Sequence, residues 1–167
     1  MNKYYLIGPP GAGKTTETSS FRRSNSSFTI IELDSIVWLN GWKKKNQKLI
    51  QNEILELLNE NDKIIFEGCY PELLEFFEKN NCTILFLDTG LFVCLKRVIY
   101  RSLHRILNKV QIFGNRESFF RLFHPNGIIF YTIRNYFFLR KNMKKQKRKG
   151  KLRWKLWKNF YIKHYIF

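Results

Sequence analysis

The residues whose types and spacing carry the most specific chemistry stand near the start of the chain, in Ile7-Gly8-Pro9-Pro10-Gly11-Ala12-Gly13-Lys14-Thr15-Thr16. Gly8, four intervening residues and then Gly13-Lys14-Thr15 form a complete phosphate-binding loop pattern. Glycines let successive backbone N–H groups turn inward around phosphate oxygens. The helix that follows such a loop presents its positive N-terminal end to the same anion. In this pattern Lys14 reaches the terminal phosphates of a nucleotide and the Thr15 hydroxyl binds Mg²⁺. The run Gly8, Pro9, Pro10, Gly11, Ala12, Gly13, Lys14, Thr15, Thr16 is therefore the expected cradle of a nucleoside triphosphate. The loop alone does not separate a kinase from a GTPase or a motor ATPase. A guanine-specifying Asn-Lys-x-Asp is missing, because Asn108-Lys109 continues into Val110-Gln111, and 167 residues is small for a motor.

Charged residues further along could complete a site. Glu67, after Ile64-Ile65-Phe66, would set a carboxylate near the phosphates, where it could hold Mg²⁺ directly or through water. Asp34 could accept a hydrogen bond from a substrate hydroxyl or act as general base. Each has a plain alternative as a solvated carboxylate in a turn. Asp88 is divided between the same crevice and a cap on the helix beginning near Leu91. Arg97, Arg101 and Arg105 recur every four residues, on one helix face. With Arg116 they are candidates for neutralising a transferring phosphoryl group, a device that speeds transfer by roughly 10³–10⁵-fold. A solvated basic face is the alternative. Trp38 and Trp42, either side of Gly41, would wall an acceptor pocket or pack in the core.

Alternating elements would hold these groups. Short apolar runs at Lys3–Ile7, Phe28–Leu33, Lys63–Phe66 and Thr83–Leu87 read as strands. Helical patterns lie between them: Lys14 to about Arg23, Gln47–Leu58 and Pro71–Phe77. The Ser- and Thr-rich first helix is intrinsically weak. Longer helical patterns run over Leu91–Leu107, near Glu117–Phe123 and from Ile128 to about Met143, with a loop at Gly114-Asn115 and a last strand expected at Phe160–Phe167. The alternation predicts an α/β chain with a parallel sheet covered on both faces, whose ligand sits beyond the C-terminal strand ends. Gly8, Asp34, Glu67 and Asp88 all fall at such ends.

The length suits one domain over 1–167. All thirteen acidic residues lie at or before Glu117, whereas fourteen Lys and Arg follow it, so the final segment carries +14 of the +17 net charge. The densest part, 140–158, interleaves Lys and Arg with Trp154 and Trp157. That composition fits nucleic-acid phosphates and bases, an acidic membrane surface, or simply a solvated face. No window has the roughly 20 apolar residues of a membrane span. The start of the chain does not read as a signal peptide. Three cysteines without CxxC spacing indicate neither a disulfide framework nor a zinc site, and point to a reducing cytoplasm.

With these residues assembled, the chain resembles the P-loop kinases related to adenylate and shikimate kinases, and in particular the group known as DNA topology modulation proteins, or adenylate-kinase-related ATPases. The resemblance rests on the early GPPGAGKTT, on Leu33-Asp34 followed by Trp38 and Gly41-Trp42, on Glu67-Gly68-Cys69-Tyr70, and on Gly114-Asn115-Arg116-Glu117-Ser118. It covers residues 1 to about 140. It implies a three-layer P-loop NTPase fold with a five-stranded parallel sheet of nucleoside-kinase type and a short helical lid at 89–125. It also implies Arg97 near the adenine, Arg101 reaching the phosphates from the lid, and Arg134 near a further phosphate-contacting position. Two departures stand out. Glu67 replaces the group's usual Asp, and the chain ends at its expected last strand, where relatives continue into a segment that encloses the base.

The expected activity is transfer of the γ-phosphate of ATP, with Mg²⁺, to a small acceptor. Lys14, Asp34, Arg101 and Arg116 would be the catalytic residues, Thr15 and Glu67 the metal-side groups, and Arg97 with the loop the nucleotide-binding set. The alternatives are a nucleotide-responsive nucleic-acid-binding protein using its basic segment, and an ATP binder without turnover.

Overall fold

Strand β1 (Asn2–Ile7) buries Tyr4 and Leu6 on one face and Tyr5 and Ile7 on the other, so a sheet built around it must be covered on both sides. The computed structural model describes residues 2–112, 114–148 and 154–157, the backbone alone for 146–148 and 154–157. Here β1 lies at the centre of a parallel sheet, flanked by β5 (Lys63–Gly68) and β6 (Thr83–Leu87). β2 (Thr29–Glu32) continues it beyond β5, and β9 (Trp154–Trp157) beyond β6. The order is β2-β5-β1-β6-β9. No helix among the described residues is long and apolar enough to cross a membrane.

One face of the sheet packs its Tyr5, Ile7, Ile64, Phe66, Ile84 and Phe86 against α2 (Leu33–Val37), α3 (Gln47–Glu60), α4 (Leu74–Lys79) and Leu139 of α7 (Ile128–Arg148). α3 follows its expected period, burying Ile50, Ile54 and Leu58, and Asn46 caps it by accepting from the Lys48 N–H at 2.9 Å. The other face gathers Tyr4, Leu6, Ile65 and Leu85 with Phe28, with Ala12 beside α1 (Lys14–Ser24) and with Cys94 of α5 (Leu91–Leu107). α1 buries only Thr18, in keeping with its polar composition. Cys69, Cys82 and Cys94 are buried free thiols.

The structure departs from the sequence reading at four places. The strand expected to reach Leu33 ends at Glu32, because Leu33, Ile36 and Val37 are buried at helical spacing and turn the chain into α2. Asp34 therefore lies in the first turn of a short helix rather than at the tip of a strand. Two hairpins appear: β3 (Trp38–Leu39) with β4 (Lys43–Lys44), in a stretch given no element, and β7 (Gln111–Ile112) with β8 (Asn115–Arg116), at the expected loop. α7 runs five residues past Met143, to Arg148. Finally, Trp154–Trp157 of the basic segment forms the edge strand β9, while the expected strand at 160–167 lies outside the described residues.

Candidate functional site

The parallel register brings the functional positions to one edge. Leu6 and Ile7 of β1 stand opposite Glu67 and Gly68 of β5, and Glu32 of β2 stands opposite Glu67. Beyond these strand ends lies a cavity of about 1070 Å³. The phosphate-binding loop forms its floor, with Pro10, Gly11, Gly13, Lys14, Thr15 and Thr16 facing it. Gly11 at φ +78 and Gly13 at φ +101 take left-handed conformations that admit the loop's reversal. Gly11 is also pressed against α5, since a Cβ there would stand 2.3 Å from the Cys94 carbonyl oxygen.

The remaining loop residues hold the loop's shape. The Lys14 Nζ donates to the carbonyls of Gly8 at 2.9 Å and Pro9 at 3.2 Å. Ala12 is buried, and its carbonyl accepts from the Thr89 hydroxyl at 2.8 Å and from Arg97 Nη1 at 3.3 Å. Arg97 Nη1 also reaches the Gly11 carbonyl at 3.3 Å, so this side chain lies across the loop. Burial lowers the Lys14 ammonium below the ordinary lysine value, opposed by nearby Cys69, Glu67 and Asp34.

Glu67 sits beneath the first turn of α1, 3% exposed. Its Oε1 accepts from the Thr18 hydroxyl at 3.2 Å, whereas Oε2 is buried and has no hydrogen-bond partner among the described residues. Burial pushes this carboxyl up to about 7; Lys14 pulls it down, and Glu32 across the β2–β5 pair pushes it further up. An orphaned carboxylate oxygen next to the Thr15 hydroxyl suits a hard cation such as Mg²⁺, which takes one or two protein oxygens and completes its shell with phosphates and water. No cluster of three or more His, Cys, Asp or Glu able to hold a metal alone exists among the described residues.

Asp34 lines the same cavity, near enough to Lys14 to help hold its proton. Its Oδ1 accepts a hydrogen bond from the Tyr70 hydroxyl. Tyr70 is itself fixed through its backbone: its N–H donates to the buried Tyr5 hydroxyl at 3.1 Å, and that hydroxyl donates to the Tyr70 carbonyl at 3.2 Å. Burial, and then the Asp34 charge, raise the Tyr70 phenol well above its ordinary value, so it remains a donor. Trp38 and Trp42 stand edge to face, ring centroids 5.7 Å apart, and both line the cavity, while Trp38 also packs against the core. Arg121 of α6 (Phe119–Phe123) covers the Trp42 ring at 5.1 Å.

The arginine helix splits in use. Arg97 and Arg101 face the cavity, and Arg105, also lining it, is paired with Glu117 at 2.9 Å. Arg134 lines the cavity from α7. Arg116 does not: with the Gln111 amide turned to accept, Arg116 Nε and Nη2 both donate to it at 3.2 Å, across the β7–β8 pair and away from the cavity. Its strand position explains this, because alternate residues of a two-residue strand face opposite sides and Asn115 takes the inward one. Asp88 neither caps α5 nor faces the cavity, but pairs with Arg140 of α7 at 3.0 Å. Tyr70, Arg121 and Asn115 were not distinguished as site residues by sequence. Tyr70 had a signal in its place three residues after Glu67, whereas Arg121 and Asn115 meet their partners only through folding.

No family model matches this chain, and neither does any curated protein. Solved structures do. A chain of the Pnkp1/Rnl/Hen1 RNA repair complex superposes with a TM-score of 0.56 at 16% identity, over 84% of this chain and 45% of that one. This chain thus spans less than half of the length of that relative. Shikimate kinase from Bacteroides thetaiotaomicron superposes with a TM-score of 0.50 at 16% identity, over 88% of this chain and 80% of that one. At such identity the likeness is one of fold, and the fold is of the P-loop kinase type.

Proposed function

We propose that this protein is an ATP- and Mg²⁺-dependent phosphotransferase acting on a small hydroxyl-bearing acceptor. The observation that carries the reading is that Lys14 of the loop and Asp34 with its tyrosine line one cavity. Lys14 and the N–H groups of the loop and first turn of α1 would hold the β- and γ-phosphates. Thr15 and the orphaned Glu67 oxygen would hold Mg²⁺, which when bound offsets phosphate charge. Asp34, kept in one orientation by Tyr70, would take the proton of the acceptor hydroxyl as its oxygen attacks the γ-phosphorus and ADP leaves. Arg101 would stabilise the charge spread over the transferring group, and the 89–125 segment would act as the lid. Arg116 is better assigned to the hairpin than to the reaction.

The acceptor side favours an anion. Lys44 pairs with Glu72 and Arg105 with Glu117, which leaves Arg101, Arg121 and Arg134 facing the cavity against Asp34 and Glu32. The test is a panel of nucleosides, nucleoside monophosphates, sugar phosphates and hydroxy acids with Mg-ATP. The expected result is ADP release that rises with one class of acceptor and disappears in Lys14→Ala and Asp34→Ala. ATP turnover indifferent to every acceptor would overturn the kinase reading. A second reading, nucleic-acid binding, is favoured by the exposed Lys141, Lys144 and Lys145 on the last turns of α7.

A further inference from the structure

A single buried amide joins the two hairpins that wall the cavity. Asn115 is 3% exposed. Its Oδ1 accepts from the Trp42 backbone N–H at 2.6 Å, and its Nδ2–H donates to the Leu39 carbonyl at 3.2 Å. One side chain thus grips both limbs of the turn between β3 and β4, 73 residues away from Trp42 in sequence. The Trp42 Nε1–H returns a bond to the Arg116 carbonyl at 3.0 Å. Gly114, at φ +73, approaches the same turn so closely that a Cβ there would stand 2.1 Å from Asn40 Oδ1. The two turns are shaped to each other.

Each hairpin is also tied to one half of the site. β8 leads into Glu117, whose carboxylate is held by Arg105 of the helix that carries Arg97 and Arg101. β3 follows directly from α2, which carries Asp34. A continuous chain of bonded groups therefore runs from the phosphate-binding loop through Arg97, α5, Arg105–Glu117 and Asn115 to the Trp42 wall and Asp34. We propose that Asn115 is a positioning residue that couples the arginine helix to the acceptor wall, so that both move as one body when the cavity closes on nucleotide. The closing step rests on the nucleotide-binding reading above; the joint between the hairpins does not. A primary amide suits this post because it offers a donor and an acceptor to two backbone groups at once, which neither a carboxylate nor an aliphatic side chain does. The acceptor that satisfies the Trp42 N–H is this amide oxygen.

Hydrogen exchange read by mass spectrometry on the full chain tests this, following peptides over 38–44 and 114–118 with and without Mg-ATP. In the unmodified protein both segments exchange slowly, and Mg-ATP slows both together. Asn115→Ala should speed exchange in 38–44 by about tenfold or more, the loss of bonds to two backbone groups. It should also abolish the effect of Mg-ATP on 38–44 while leaving its effect on 114–118. Asn115→Asp, which keeps the acceptor and loses the donor, should fall between. Gly114→Ala strains the same joint from an exposed position, through its left-handed φ and a contact with Asn40 Oδ1, so it provides the test if Asn115→Ala does not fold. Adding Asn40→Ala to Gly114→Ala removes the contact, though not the strain of the left-handed φ, and should restore slow exchange in part, which a general loss of stability would not allow. The proposal is overturned if 38–44 exchanges at the unmodified rate in folded Asn115→Ala or Gly114→Ala. It is also overturned if Mg-ATP protects 38–44 equally in those variants. If Mg-ATP changes neither segment in the unmodified protein, the nucleotide reading and the coupled closure fail together, while the exchange rates without nucleotide still judge the joint.

Discussion

Glu67→Gln separates the two roles of the buried carboxylate. A carboxyl whose pKa rises from 4.5 to about 7 on folding binds its proton more tightly in the native state. Its contribution to stability is therefore complete below about pH 4.5 and is lost as pH climbs through about 7. The shift of roughly two and a half units corresponds to about 3 kcal/mol, at about 1.4 kcal/mol per unit. Gln resembles the protonated form in shape and can keep its bond with Thr18. At pH 5 the variant and the parent should thus unfold at similar temperatures. At pH 8 the variant should be more stable by up to about 3 kcal/mol, or about 6–12 °C in Tm for a chain of this size. The figure is net of the attraction of Lys14, which already holds the carboxyl down. Thermal melts at the two pH values in low-magnesium buffer measure this directly. Mg-ATP at pH 8 should then raise the parent's Tm and raise the variant's far less. Equal gains for the variant at pH 5 and pH 8, or a variant less stable at pH 8, would refute the placement of an unpaired carboxylate beneath α1.

Three further outcomes follow from the geometry. Tyr70→Phe removes the donor that orients Asp34 and should lower kcat by about tenfold to a hundredfold with the KM for ATP unchanged, the worth of one hydrogen bond to a charged group, checked by steady-state kinetics once the acceptor panel supplies a substrate. Gly11→Ala puts a methyl group 2.3 Å from the Cys94 carbonyl oxygen at a left-handed φ, and should cost about 1–3 kcal/mol of stability in a melt and remove nucleotide binding by calorimetry. Replacing Lys141, Lys144 and Lys145 together by Glu should weaken any DNA binding and flatten its salt slope, by about 0.9 for each phosphate no longer neutralised, in a fluorescence anisotropy titration; an unchanged slope would remove α7 from that reading. The triple replacement is a sharper test than deleting 141–158, which would also strip strand β9 from the sheet edge.

The loop was legible before folding, because its pattern is local. Its glycines, the lysine and the threonine are neighbours in sequence, so their spacing is already most of their geometry. Strands β1, β5 and β6 and helices α3 and α5 were readable for the same reason: an unbroken apolar run, or apolar residues near every three and a half positions, is printed along the chain. Leu33 misled the reading because a single apolar residue extends a strand pattern as easily as it begins a helix, and only Ile36 and Val37 packing on the sheet decided for the helix. Trp154–Trp157 was hidden by its charges, since an edge strand needs fewer apolar residues than a central one.

The acceptor side was decided by tertiary structure. Asp34 could be singled out in sequence, but not the tyrosine hydroxyl that orients it, 36 residues further on. Arg116 matched a recognisable motif, yet its register against Gln111 turns the guanidinium outward, while its neighbour Asn115 turns inward to hold a turn 73 residues upstream. The sequence by itself determined that the chain carries a loop of the phosphate-binding pattern and the strands to support it. Only the fold determined which buried carboxylate keeps an oxygen without a hydrogen bond among the described residues, which arginines face the cavity and which hairpin meets which. These depend on groups far apart along the chain, and they acquire distances and desolvation only once the sheet has brought its strand ends together.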